Sequence, residues 1–171
     1  MATRYKPIFS GKNRVVKMVT TEIIFGVDET ASNQLKLAKQ IRYAVFCEEQ
    51  QIPQNIEDDG LDTAAIHVLT SINGEYVATG RLLVAADDFI IGRVAVLPNF
   101  RGLHLGDLVV RILIRIAVDM GATEQIVHSQ LQVQGFYEKL NFTPIGEVYQ
   151  EANVPHITMV HKGDVFGKCA D

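Results

Sequence analysis

From residue 66 the chain carries three successive apolar-rich runs, IHVLTSI, EYVATGRLLVA and FIIGRVAVL, each bounded by turn-forming residues. Runs of this length and composition, separated by turn signals, predict the strands of a meander. Asn73-Gly74 between the first two runs is a hairpin signal, because the tight hairpin turn needs positive φ at both of its central residues. Asp87-Asp88 is expected to make the second turn. Beyond Pro98 the pattern changes: Leu105, Leu108, Val109, Ile112, Leu113, Ile116 and Ala117 recur at three- and four-residue spacing. That stripe predicts a long helix over 103–120, stopped by Gly121 in the left-handed conformation.

The flanking segments complete the pattern. TEIIFGV (21–27) reads as a first strand, and TASNQLKLAKQIRYAVF (30–46) as a helix with Leu37, Ile41 and Val45 one turn apart. CEEQQIPQNIEDDGLDT (47–63) reads as a loop, long enough to be expected on the substrate side. After the long helix come a strand EQIVHSQ, a short helix VQGFYEKL closed by Asn141, and two strands, TPIGEVYQE and PHITMVHKG. Hairpins segregated from a single strand–helix–strand crossover indicate an α+β fold. Its central sheet is expected to be mixed, mostly antiparallel, of about seven strands flanked by helices.

A chain of 171 residues, 47% hydrophobic and 21% charged, has the composition of one globular domain. No apolar run has the length of a membrane helix and the N-terminus lacks a signal-peptide core, so a cytoplasmic protein without membrane contact is expected. Cys47 and Cys169 lack metal-site or disulfide-framework spacing, and no metal is expected. The charge is uneven. Residues 1–17 hold Arg4, Lys6, Lys12, Arg14 and Lys17 and no acid, leaving the remainder near −9 against −4 for the whole chain. Residues 1–17 are expected to be a disordered basic extension ahead of a domain spanning 18–171. A body that acidic is a poor partner for nucleic acid.

Candidate chemistry begins where the third strand gives way to the long helix, in VAVLPNFRGLHLGD. A strand ending at Pro98 and turning through Arg101 and Gly102 presents the unbonded N–H groups of the next helix, with the positive end of its dipole, as an anion site. Gly102 and Gly106 equally suit a tight turn and close helix packing. The dinucleotide and P-loop glycine patterns are both absent.

Arg101, Gly102, Leu103, His104, Leu105 and Gly106 fit the frame R/Q-x-x-G-x-G/A, and with VAVLP before and GFYEKLNF after they resemble the GNAT acyltransferase superfamily. His104 stands where that family usually has glycine. RYAVFCEEQQIP resembles the R-x-x-V-F-x-x-E-Q-x-x-P of a small single-domain subgroup related in plan to acyl-homoserine lactone synthases. The resemblance implies acetyl-CoA, or another acyl-CoA, as donor. Residues 101–106 would surround its pyrophosphate, and the backbone of Val94, Ala95 and Val96 would pair with its pantetheine arm and direct an N–H at the thioester oxygen. By the same resemblance Gln130 contacts the donor and Tyr137 lies beside the sulfur and protonates the departing thiolate. A phenol is in the acid form at neutral pH.

The acceptor must lose a proton. Glu49, in the matched Glu-Gln of the long loop, and His128 are the candidate bases, with His67 and His156 as alternatives. Arg42, Arg81 and Arg93 are expected either to pair with Glu49 or the acids at 57–59, or to bind an acidic acceptor. The leading expectation is an N-acetyltransferase acting on a small amine by direct attack in a ternary complex. A relative of the acyl-homoserine lactone synthases and a non-catalytic acyl-CoA sensor are the rival readings; dimers are common for this fold, which makes a homodimer an expectation as well.

Overall fold

A computed structural model of the chain describes residues 17–25 and 33–163. Residues 1–16 of the basic segment, the end of the first predicted strand at 26–27, and Cys169 lie outside the described residues. One sheet of seven strands runs in the order β1-β2-β3-β4-β5-β7-β6, with β1 Val19–Phe25, β2 Ile66–Ile72, β3 Glu75–Ala85, β4 Asp88–Val96, β5 Glu124–Gln130, β6 Thr143–Glu151 and β7 Val154–Lys162. Neighbours are antiparallel except β4 and β5, which are parallel. The helices are α1 Asn33–Arg42, continued by a π-helical turn Tyr43–Glu49, then α2 Gln54–Glu57, α3 Leu105–Asp119 and α4 Gln134–Glu138. The expected α+β sheet flanked by helices is the observed fold.

Strands β2, β3, β5 and β6 have the boundaries that the apolar-rich runs predict. Asn73 and Gly74 do turn the first hairpin with φ of 52° and 88°. Four expectations need correcting. The second turn falls at Ala86-Asp87, since Ala85 pairs with Asp88 and Ala86 takes the positive φ of 54°. The segment 47–63 is not plain loop: the π-helical turn enters it, and α2 and a 3-10 turn at Asp62–Ala64 fold the rest. Helix α3 begins at Leu105, not 103, because His104 is left-handed at φ 58°, ψ 21° and cannot continue a right-handed helix. The buried face of α3 is also rotated from the predicted stripe. It centres on Val109, Leu113, Ile114 and Val110, whereas Leu108, Ile112 and Ile116 are half-buried.

Helix α3 covers one face of the sheet, over Leu82, Ile91 and Val127; α1 and the π-helical turn cover the other, with Ala38, Ile41 and Val45 against Leu69 and Ala95. Full burial of each such branched side chain contributes about 1.5–3 kcal/mol, so α3 and its N-terminus are held firmly against the sheet. The approach is closest at Gly80 of β3, where a Cβ would lie 2.6 Å from Val109 Cγ1 and 2.9 Å from Leu113 Cδ1. Directly across from Gly80, the pairing of β3 with β4 slips: Arg81 pairs with Gly92 but Thr79 with Ala95, leaving Arg93 and Val94 opposite one residue. Arg93 takes up this bulge at φ 53°. No helix among the described residues is long and apolar enough to cross a membrane.

Candidate active site

Parallel pairing between β4 and β5 occurs at only two positions, Ile90 with Ile126 and Ile91 with Val127. Beyond them the strands run on to Val96 and Gln130 without pairing. An extra residue in one strand adds local twist, and the bulge at Arg93 sits where the two part. The β5-facing side of residues 92–96 is therefore left open as a groove.

The groove leads to the entry of α3. Arg101 N bonds back to Pro98 O at 3.3 Å, and the first helical bond runs from Leu108 N to His104 O at 3.0 Å. Between them, no amide of residues 102–107 has an acceptor among the described residues. Residues 101–104 are exposed. This run of donors at the head of a 15-residue helix is an anion site that needs no side chain. Gly102 serves the turn through its φ of 77°. Gly106 is not demanded by packing, since a Cβ there would make ordinary contacts of 3.5–3.6 Å with Phe136 and Val96.

A cleft of about 470 Å³ opens beside the groove. Val94, Gln130, Tyr137, His128 and His156 line it together with Glu151 and Ala152 at the tip of the β6–β7 hairpin. Tyr137 is clamped edge-on between Phe136 and Phe142, with ring centroids 4.9 and 5.5 Å away. Burial pushes its phenol well above the ordinary value and so keeps it protonated. Its hydroxyl has no side-chain or backbone partner among the described residues. Gln130 Nε2 donates to Gln50 Oε1 at 2.9 Å, tying the end of β5 to the loop after the π-helical turn.

The two other imidazole positions differ. His128 Nδ1 lies 2.8 Å from Tyr149 Oη and 3.3 Å from Thr158 Oγ1. His67 is buried away from the cleft, donating from Nε2 to Asp62 O at 2.9 Å, and burial lowers its pKa.

One wall of the cleft is ionic. Arg42, buried on the inner side of α1, bonds Glu57 at 2.5 Å and Asp62 at 2.7 Å. Arg81 bonds Asp59 at 2.6 and 2.8 Å and Asp62 at 2.9 Å. Arg93 donates to the carbonyls of Ile56 and Glu57 and to Asp59 at 3.1 Å. Burial alone would raise the carboxyl of Asp62, but the Arg42 and Arg81 guanidiniums outweigh it and hold it at about 2. Against the same burial, Arg81 and Arg93 drive Asp59 lower still. Asp62 carries this network and was not singled out by its sequence, where it follows Gly60 as one more loop acid.

Glu49 is elsewhere. Its carboxylate meets Arg101 bidentately at 2.5 and 2.7 Å, while Arg101 Nε donates to Val96 O at 3.1 Å. The hydrogen bonds from Arg101 hold its carboxyl below the usual range, and Glu49 does not line the cleft. The structure thus places Glu49 in an ion pair with Arg101 beside the knuckle, apart from the cleft. Ala95 is buried toward α1 and Val96 half-buried toward α3, so of these three residues only the side chain of Val94 reaches the cleft. Leu103 and His104 stand exposed at the knuckle, and Leu105 turns inward at 4% exposure. Among the described residues no group of three or more His, Cys, Asp or Glu is placed to hold a metal ion.

Known proteins share this fold. Residues 35–142 match the model of the acetyltransferase (GNAT) family. Protein ElaA of Escherichia coli K12 is 34% identical over 139 residues, covering 78% of this chain and 91% of ElaA. The ElaA crystal structure superposes with a TM-score of 0.73 at 31% identity, over 83% of this chain and 99% of that one. An acyl-CoA N-acyltransferase from Pseudomonas aeruginosa superposes at 0.74 with 28% identity, over 83% and 98%. The family uses acyl-CoA as donor. The parted parallel strands, the open amides heading α3 and a family match across most of the domain agree, and the chain belongs to the GNAT acetyltransferase family.

Proposed function

We propose that the protein is an N-acetyltransferase that moves an acetyl group from acetyl-CoA to the amine of a small acceptor by direct attack in a ternary complex. The observation that carries this reading is the run of unbonded amides at residues 102–107, lying at the end of the groove between β4 and β5. A diphosphate needs several converging donors and a helix dipole, and both are here. The extended pantetheine arm then lies along residues 94–96 as a strand would, and a β4 amide facing the groove meets the thioester oxygen as charge develops on it. Removing one donor of that kind typically costs about 3 kcal/mol in the barrier.

Tyr137 supplies the proton for the departing thiolate. Its protonated phenol in the cleft, without a partner among the described residues, suits that role, and Gln130 holds the donor from the β5 side. The acceptor enters from the side of the β6–β7 tip and gives its proton to a cleft imidazole, His128 or His156.

The test is release of free thiol from acetyl-CoA with a panel of primary amines, alongside calorimetry of CoA binding. Binding with amine-dependent thiol release supports transfer. Binding without release under any amine makes the protein a sensor, and no heat at millimolar CoA removes the donor site.

A further inference from the structure

Two imidazoles face the cleft, and only one has its protonation pattern set by the fold. His156 of β7 places Nδ1 2.8 Å from the carbonyl oxygen of Val154. A carbonyl can only accept, so Nδ1 bears the hydrogen, and the neutral ring carries its lone pair on Nε2. That atom has no partner among the described residues. It is also absent from the solvent-inaccessible atoms that lack one, namely Asp62 Oδ2, His67 Nδ1 and Gln125 Nε2. The His156 side chain is 9% exposed and lines the cleft, so Nε2 opens onto it. The ring is held in place by stacking on Tyr149, 6.0 Å between centroids at 27°, and by its register opposite Gln130. His128 lacks this definition: both partners of its Nδ1 are hydroxyls, which donate or accept equally well.

Resting on the acetyltransferase reading above, we infer that His156 Nε2 is the base that takes the acceptor's proton. The amine nitrogen forms a bond to the acetyl carbon as the C–S bond breaks. The nitrogen's proton passes to His156 Nε2, and the thiolate takes the phenol proton of Tyr137. Both side chains then return to their starting states by exchange with water, leaving amide and free CoA. Tyr149 of β6 stacks on His156, and the charged or titratable groups that line the cleft with it are Glu151 from β6, His128 from β5, Tyr137 from α4, and Glu57, Asp59, Arg81 and Arg93 on the ionic wall. None of them is within hydrogen-bonding reach of Nε2.

The experiment uses the full chain, acetyl-CoA, and whichever primary amine gives the fastest thiol release. His156→Gln should lower kcat about 10²-fold, the lower end for loss of a general base, with CoA affinity by calorimetry changed less than about twofold. The acid limb of the kcat/KM profile should disappear with it. His156→Ala should regain roughly tenfold in rate when imidazole is added, a rescue that a packing defect would not show. Retained activity with an unchanged pH profile in both variants overturns the assignment. So does loss of turnover in His128→Gln while His156→Gln stays active. If the unaltered protein binds CoA but releases no thiol with any amine, the acetyltransferase reading fails first and takes this inference with it.

Discussion

On the wall of the cleft built from β3, β4 and residues 57–61, Arg81 and Arg93 are bonded to Asp59, and behind it buried Arg42 and Arg81 share Asp62. On the wall built from β5, α4 and the β6–β7 hairpin, the side chains of Tyr137 and His156 line the cleft, and Tyr137 Oη and His156 Nε2 have no partner among the described residues. Groups consumed by one another stiffen a scaffold but have nothing left for a ligand. Groups aimed at a cavity with valence to spare add little stability and are available for proton transfer. Substitutions on the first wall should therefore register mainly as stability, and on the second mainly as rate.

The largest effect is expected at Asp62. Asp62→Asn leaves Arg42 and Arg81 short of a buried anion and should cost about 3–5 kcal/mol in urea denaturation. The pH dependence has a definite sign. The folded carboxyl lies at about 2 against an ordinary 3.8, so its stabilisation is complete above the ordinary carboxylate range and is lost as pH falls toward 2. That part of the acid limb should be missing in Asp62→Asn, as read by circular dichroism during acid titration.

Next comes Tyr137→Phe, which should reduce kcat by about 10²-fold while the melting temperature and CoA affinity move little. Equal loss of rate and affinity would place Tyr137 among the packing residues. A smaller change of opposite sign is expected at the knuckle. His104→Gly removes a side chain from a left-handed position and should stabilise the fold by up to about 1 kcal/mol in thermal melts. Smallest is Glu49→Gln. Freeing Arg101 from an exposed ion pair, typically worth 0.2–1 kcal/mol, should tighten CoA binding by about two- to fivefold if the guanidinium meets the diphosphate. Weaker binding would instead make Glu49 a brace for Arg101.

Much of the architecture was legible because it rests on local rules. Apolar-rich runs and Asn73-Gly74 marked out β2 and β3 to the residue, and Gly121 and Asn141 do take positive φ, 96° and 63°, where helices end. The open amides of the knuckle were legible because orphan donors follow from any strand-to-helix turn. What escaped depends on distant chain segments meeting. Arg42, Asp62, Arg81 and Arg93 belong to a helix, a turn and two strands, and no spacing rule brings them together. Glu49 looked like a free carboxylate because nothing local announced Arg101, 52 residues away. The left-handed state of His104 was hidden by its residue type, although the glycine usual at that position in the family points to the same geometry.

The narrow contact of β4 with β5 has one more consequence. The sheet is in effect two leaves, β1 to β4 and β5 to β6, whose strand pairing across the seam among the described residues is Ile90–Ile126 and Ile91–Val127 alone. An extended molecule seated in the opening would act as a suture across the slit. The folded chain should then melt later in proportion to the logarithm of the amount of that molecule added, as any species held only by the native state requires.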